Sequence, residues 1–239
     1  MGFFVSFEGI EGSGKTTQIA LLSGALQEQG RRVVVTREPG GTAVGRAVRE
    51  ILLQPTLRTG VQLNAPSGQD SPTLAPLAEL FLCLADRAQH VHEVVAPALA
   101  AGVIILSDRF ADSTVAYQGY GRGEDLAFIT RLNALACGRY LPHLTFLLDC
   151  PVEVGLARAL RRSSGQVSSQ EALSACGESC RTTDRFEAES VGFHERVRKG
   201  YLEIARSAPD RVVVIEATCS PEQVHKEICA AVLARMAGS

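Results

Sequence analysis

Near the N-terminus, glycines, a lysine and three hydroxyls stand at spacings that suit phosphate: Gly9-Ile10-Glu11-Gly12-Ser13-Gly14-Lys15-Thr16-Thr17. The order fits G-x-x-x-x-G-K-[ST], a loop whose backbone N–H groups curl inward around phosphate oxygens. Glycines permit that curl because they carry no Cβ. Lys15 is placed to reach the outer phosphates, and the Thr16 hydroxyl to ligate Mg²⁺. Only three of the 24 basic residues are lysines, so a lysine at the required position is a specific feature.

Other candidates follow apolar runs. Arg37-Glu38-Pro39-Gly40-Gly41-Thr42 is a tight turn carrying a charged pair. Ser107-Asp108-Arg109-Phe110 ends four apolar residues with an acid. There Asp108 could hold Mg²⁺ directly or through water, and Arg109 could clamp a phosphate with two parallel hydrogen bonds. Asp149 is a second, lower-ranked carboxylate, because Cys150-Pro151 turns the chain straight into a helix. Asp112 to Arg122 offers hydroxyl, amide and aromatic groups together, suited to reading a base edge and packing on a sugar. Glu11, an acid inside a phosphate loop, makes sense against a hydroxyl or a metal.

Such groups need a frame. Five short apolar segments rich in β-branched residues read as buried parallel strands: Phe3–Phe7, Arg32–Thr36, Val103–Ser107, Thr145–Asp149 and Val212–Glu216. Helical patterns separate them. Thr16 to Gln29 carries Ile19, Leu22 and Leu26 on one face and stops at Gly30. Leu77, Leu80, Leu84, Ala88, Val91 and Val95 form a second face; Phe193, Val197, Tyr201 and Ile204 form a third. Ser220-Pro221-Glu222-Gln223 is a capping signature. Alternating strands and helices predict a doubly wound α/β fold, a parallel sheet with helices on both faces. Ligands in such folds bind beyond the carboxyl ends of the strands, where the polar turns fall. Gln54–Pro76 and Ser163–Thr183 are long, polar stretches of the kind that form lids, flaps or insertions.

Composition narrows the partners. The net charge is −2 and no basic block stands out, which argues against a surface that tracks nucleic acid. No apolar run reaches the roughly 18 residues that would span a bilayer. A strand opens the chain, so no signal peptide is expected. The seven cysteines lack a paired pattern and read as reduced thiols of a cytoplasmic protein. Cys176 and Cys180 form the one close pair, with nothing nearby to complete a metal site.

Taken together, Phe7 to Thr17, Arg37 to Thr42, Asp108-Arg109-Phe110, Tyr117-Gln118-Gly119, Asp184-Arg185-Phe186-Glu187 and Phe193 to Arg198 resemble the bacterial type of thymidylate kinase. The likeness runs over nearly the whole chain, with its motifs in the family's order. It implies a P-loop NTPase-type sheet in one nucleoside-monophosphate-kinase-like domain, residues 1–239, with a lid at about 158–186. It implies transfer of the ATP γ-phosphate to dTMP with Mg²⁺, by a homodimer. Gly9, Ile10, Glu11, Gly12, Ser13, Gly14, Lys15, Thr16 and Thr17 would bind ATP, and Glu11 the dTMP 3′-hydroxyl region. Arg109, supported by Glu38 and Arg49, would surround the dTMP phosphate. Arg87, Thr114 and Gln118 would read thymine, and Tyr117 would crowd the sugar 2′ position.

Some positions depart from that pattern. The family usually has an aromatic four residues before Arg87, stacking on thymine; here Cys83 stands there, so either the stacking contact is lost or Phe110 or another aromatic supplies it. Leu141-Pro142-His143 replaces Leu-Pro-Asp and is expected to be harmless. The phosphate loop carries no arginine, so a lid arginine is expected to reach the γ-phosphate. Arg158 and Arg162, four apart on a helix and sharing a face, are the first candidates, with Arg161 beside them. The alternatives are the same chemistry on another nucleoside monophosphate or a deoxynucleoside, and a P-loop GTPase switch. The switch needs Asn-Lys-x-Asp and Asp-x-x-Gly, and neither occurs.

Overall fold

The computed structural model describes residues 2–53, 74–163 and 185–237. Five strands, β1 (Phe3–Glu8), β2 (Val33–Arg37), β3 (Ile104–Asp108), β4 (Leu144–Asp149) and β5 (Val212–Glu216), form one parallel sheet in the order β2-β3-β1-β4-β5. Each lies within two residues of its expected position. β1 is buried along its whole length, as the central strand of a sheet covered on both faces must be.

The helices form where the periodicity places them, but the second expected face is only partly inward. Leu80, Leu84, Val91 and Val95 are buried, whereas Leu77 and Ala88 are exposed and Glu79, Arg87 and His90 point inward instead. α1 (Lys15–Glu28) buries Ile19, Leu22 and Leu26. α2 (Ala43–Leu53) packs on α3 (Pro76–His90), which continues through a π-helical stretch, Val91–Val95, into α4 (Ala96–Ala100). A short α5 (Ala111–Thr114) also runs on as a π-helical stretch, Val115–Gly121. α6 (Leu126–Cys137) and α7 (Val152–Ser163) follow, then α8 (Val191–Ser207) and α9 (Pro221–Ala237). Phe193, Val197 and Tyr201 of α8 join Val5, Phe7 and Phe146 in the main core. The Ser220 cap forms reciprocally: Gln223 N–H donates to Ser220 Oγ (3.3 Å), and Ser220 N–H to Gln223 Oε1 (3.2 Å).

Register sets the site. Phe7 of β1 and Arg37 of β2 both lie opposite Asp108 of β3. The loops after β1, β2 and β3 therefore leave the sheet at one level, beside the point where its order reverses. Residues 54–73 and 164–184, which take in nearly all of the expected long loops, most of the lid and the Cys176–Cys180 pair, lie outside the described residues.

Candidate active site

The phosphate loop turns on glycines at left-handed φ: Gly9 at 137°, Gly12 at 69° and Gly14 at 95°. Gly12 is needed for a second reason. A Cβ there would lie 2.0 Å from the carbonyl oxygen of Gly155 in α7, so loop and helix meet backbone to backbone. Gly14 leads straight into α1, whose first N–H groups have no intrahelical partner and suit an anion. Lys15 Nζ folds over the loop and donates to the carbonyls of Gly9 (3.0 Å) and Ile10 (2.9 Å). Burial, with Arg109 close by, lowers its pKa to about 8.

Thr16 Oγ1 donates to Asp108 Oδ2 at 3.1 Å. The two residues expected to share Mg²⁺ thus stand together, a hydroxyl from α1 and a carboxylate from β3, both hard oxygen donors of the kind that ion takes. Asp149 serves elsewhere, in a two-pronged ion pair with Arg198 at 2.7 and 2.8 Å.

Arg109 is the hub. It alone among the described non-glycine residues has a positive φ, 73°. Its Nη1 donates to Gly9 O (3.0 Å) and Tyr201 Oη (3.1 Å), and its Nη2 to Glu11 Oε1 (2.9 Å) and Tyr117 Oη (3.0 Å). Tyr117 Oη donates in turn to Glu11 Oε1 at 2.6 Å. Burial works against ionisation of Glu11, but Arg109, His194, Lys15 and Tyr117 outweigh it and hold the carboxyl well below the usual range. Glu11 is therefore a charged acceptor inside the loop, able to receive a hydroxyl or a cation.

A second network lies along α3. Arg87, 2 % exposed, donates to Glu38 Oε2 (2.9 Å), Thr114 Oγ1 (2.9 Å), Asn133 Oδ1 (2.6 Å) and the carbonyl of Phe110 (3.1 Å). The other Glu38 oxygen faces His90 Nδ1 at 2.8 Å, and His90 Nε2 meets Thr36 Oγ1 at 2.7 Å. Glu38 thus props up Arg87. Arg49 Nη1 donates to the carbonyl of Pro39 at 3.1 Å, bracing the same turn. Gln118 Nε2 donates to Glu79 Oε1 at 2.7 Å.

One expectation fails. Phe110 cannot stack on a base: it is fully buried, edge-on to Phe4 (4.9 Å between centroids) and covered by the Arg87 guanidinium. Its aromatic bulk completes the core under β3. Phe81, two residues from Cys83, is on the exterior. Burial raises the Cys83 thiol to about 12, so it stays neutral.

In the lid region, α7 lies across the phosphate loop at Gly155 and Ala159. At about 100° per residue, Arg162 shares the Gly155 face and Arg158 lies about 60° round from it. Arg158 Nη1 donates to Ala217 O at 2.9 Å, and Arg162 pairs with Glu187 at 3.3 Å.

Several participants were given no role by the sequence, although Glu8, Ser113 and His194 lie inside quoted motifs. Glu8, Ser113, Tyr201 and His194 surround Arg109 and Glu11. Glu8 accepts from Phe110 N–H (2.7 Å) and Ser113 Oγ (2.6 Å), and burial raises its pKa to about 7. His194 Nδ1 stands 3.4 Å from Glu11 Oε2. Tyr201 sat in a helical apolar face that reads as packing. Its ring does pack there, while its hydroxyl reaches Glu8 at 3.0 Å.

A glycine phosphate loop at the reversal point of a five-stranded parallel sheet, with a hydroxyl and an acid beside it, defines a P-loop NTPase-type fold built to hold nucleotide phosphates. A sequence model of the family described as thymidylate kinase matches residues 7–228, and the chain belongs to that family. It is 48% identical over 234 residues to the thymidylate kinase of Trichlorobacter lovleyi, covering 98% of each chain. It is 50% identical over 223 residues to that of Desulfovibrio desulfuricans, covering 92% of this chain and 90% of the relative. The crystal structure of thymidylate kinase from Ehrlichia chaffeensis superposes with a TM-score of 0.66 at 32% identity, covering 97% of this chain and 98% of that one.

Proposed function

We propose that this chain transfers the γ-phosphate of ATP to dTMP, giving dTDP and ADP, with Mg²⁺. The observation that carries the reading is the position of Arg109, bonded at once to the backbone of the phosphate loop at Gly9 and to Glu11. One guanidinium thus faces both the donor loop and the acceptor pocket. Gly9 to Thr17 cradle the ATP phosphates, with Lys15 moving from its loop carbonyls onto phosphate oxygens. Thr16 and Asp108 hold Mg²⁺, which neutralises charge on those oxygens when bound. Arg109 binds the dTMP phosphate, and Arg49 and Glu38 brace the neighbouring turn. Glu11 accepts the sugar 3′-hydroxyl, and Tyr117, fixed on Glu11, closes the 2′ side. Thr114 and Gln118 meet the base, with Arg87 between Glu38 and Thr114. Arg158 and Arg162 reach the moving phosphoryl group when the lid closes.

The chain acts as one domain over residues 1–239, with the lid at about 158–186, and as a homodimer. Val44 and Ile51 on α2 and Leu77 and Phe81 on α3 expose apolar side chains on adjacent helices, which supports a contact there with a second copy. No helix among the described residues is long and apolar enough to cross a membrane, in keeping with a cytoplasmic enzyme whose partners are ATP and dTMP. Thermal melting tests the reading: dTMP raises the melting temperature, since a ligand that binds the folded state stabilises it by mass action. Stabilisation by GTP alone would contradict it.

A further inference from the structure

Glu79 is a fully buried acid on the pocket side of α3. Its Oε1 accepts from Gln118 Nε2 at 2.7 Å and, at longer range, from Arg122 Nε at 3.3 Å. Its Oε2 is 3.2 Å from Arg122 Nη2 and also takes a hydrogen bond from Arg185. Arg122 is itself fixed, with Nη1 2.6 Å from Glu189 and its guanidinium over the Phe193 ring. Arg185 is anchored through its main-chain N–H to Leu53 O (3.1 Å) and its Nε to Leu52 O (3.0 Å). Three elements thus meet on one carboxylate.

A carboxylate bonded to two arginines has only lone pairs to offer. The end of the Gln118 amide that faces it must therefore be the NH₂, which settles an assignment that coordinates alone leave open. The Gln118 carbonyl oxygen is turned the other way, and no donor among the described residues reaches it. A base meeting Gln118 thus meets an acceptor. Thymine and uracil present N3–H there, whereas cytosine presents a bare N3. We infer that Glu79 is a positioning residue for base selection: by fixing the Gln118 amide it makes the pocket accept bases with N3–H and reject cytosine.

The inference rests on the reading above that Gln118 meets the base. It makes an unusual prediction for Glu79→Gln. Arg122 and Arg185 are donors only, and both reach Oε2, so a glutamine at 79 turns its single carbonyl to that side and its NH₂ to Gln118, giving up the longer bond from Arg122 Nε. Gln118 must then turn its own carbonyl inward and present NH₂ to the base, an inversion that favours cytosine.

The test is kcat/KM for dTMP and dCMP in the parent, Glu79→Gln and Glu79→Asp, and in Gln118→Leu with and without Glu79→Gln. The expected result is a parent that prefers dTMP and a Glu79→Gln variant whose dTMP:dCMP ratio falls about tenfold or more, with KM for ATP unchanged. Glu79→Asp, still acceptor-only, keeps most of the preference. In the Gln118→Leu background Glu79→Gln no longer moves the ratio, as a coupled pair requires. An unchanged ratio, or equal loss on both substrates, overturns the role of Glu79. A parent without preference for dTMP overturns instead the function on which it rests.

Discussion

Arg109 Nη2 stands 2.9 Å from Glu11 Oε1, and this pair ties the strand that carries Asp108 to the phosphate loop. Arg109 holds a left-handed φ of 73°, which costs a non-glycine residue on the order of 1–3 kcal/mol. The bonds from its planar fork to Gly9, Glu11, Tyr117 and Tyr201 offset that cost. Lysine, a point charge on a flexible stem, cannot reproduce them. Arg109→Lys is therefore expected to lose about 30-fold or more in kcat/KM for dTMP, equivalent to about 2 kcal/mol for a broken buried charge pair. Steady-state kinetics check this, and a lysine variant within about threefold of the parent would count against the hub.

Thr16 and Asp108 are joined by a 3.1 Å hydrogen bond, a pairing that a shared Mg²⁺ would replace. Asp108→Asn keeps the shape and removes the charge. The Mg²⁺ concentration for half-maximal activity is expected to rise by about 10–100-fold. An unmoved Mg²⁺ titration would remove Asp108 from the metal site.

Arg158 and Arg162 hold Ala217 O and Glu187 in this structure, so their catalytic role requires exchange of partners. An arginine that reaches the transferring phosphoryl group is worth on the order of 10³–10⁵ in rate. For Arg158→Ala, Arg162→Ala and the double variant, kcat is expected to collapse in at least one while dTMP affinity by calorimetry changes little. A double variant at close to the parent rate would mean that the cation comes from elsewhere.

His143 stands where the family has aspartate. Its Nδ1 accepts from Phe4 N–H at 2.9 Å, and its ring stacks on Phe3 with centroids 5.1 Å apart. The residue therefore keeps the acceptor that an aspartate would supply to the strand. Desolvation lowers its pKa, because burial disfavours the charged imidazolium. Its stabilisation is present above the unfolded value of about 6.5 and is lost as pH falls through the lower folded value. In His143→Asp the acceptor survives to about pH 4. Melting temperatures between about pH 7 and pH 5 should therefore fall more steeply in the parent than in the variant. Equal slopes would contradict this account of the position.

The frame was legible because each part has a local cause. Short apolar runs between helical patterns marked all five strands, and the glycine loop marked the phosphate site. Thr16 and Asp108, 92 residues apart, came together because both follow from the strand–loop–helix grammar of the fold. Other partners of the site were not legible, because their role depends on burial and direction. Glu79 and His90 lie on a helix that reads as packing, and only the fold reveals that their side chains point inward to Gln118 and Glu38. Phe110 was misjudged for the same reason. Its type suits stacking, but the turn after Arg109 sends its ring into the core beneath Arg87.

The central claim is phosphoryl transfer from ATP to dTMP, and ATP consumption against a panel of nucleoside monophosphates tests it most directly. dTMP should be the best acceptor. dUMP, lacking one methyl, should be poorer by roughly 10–200-fold, the range an apolar pocket extracts from a methyl group, with the low end expected because Cys83 replaces a stacking aromatic. Lys15→Ala should abolish turnover while its melting temperature stays near that of the parent. ATP consumption that ignores dTMP, or that prefers another nucleoside monophosphate, would contradict the account.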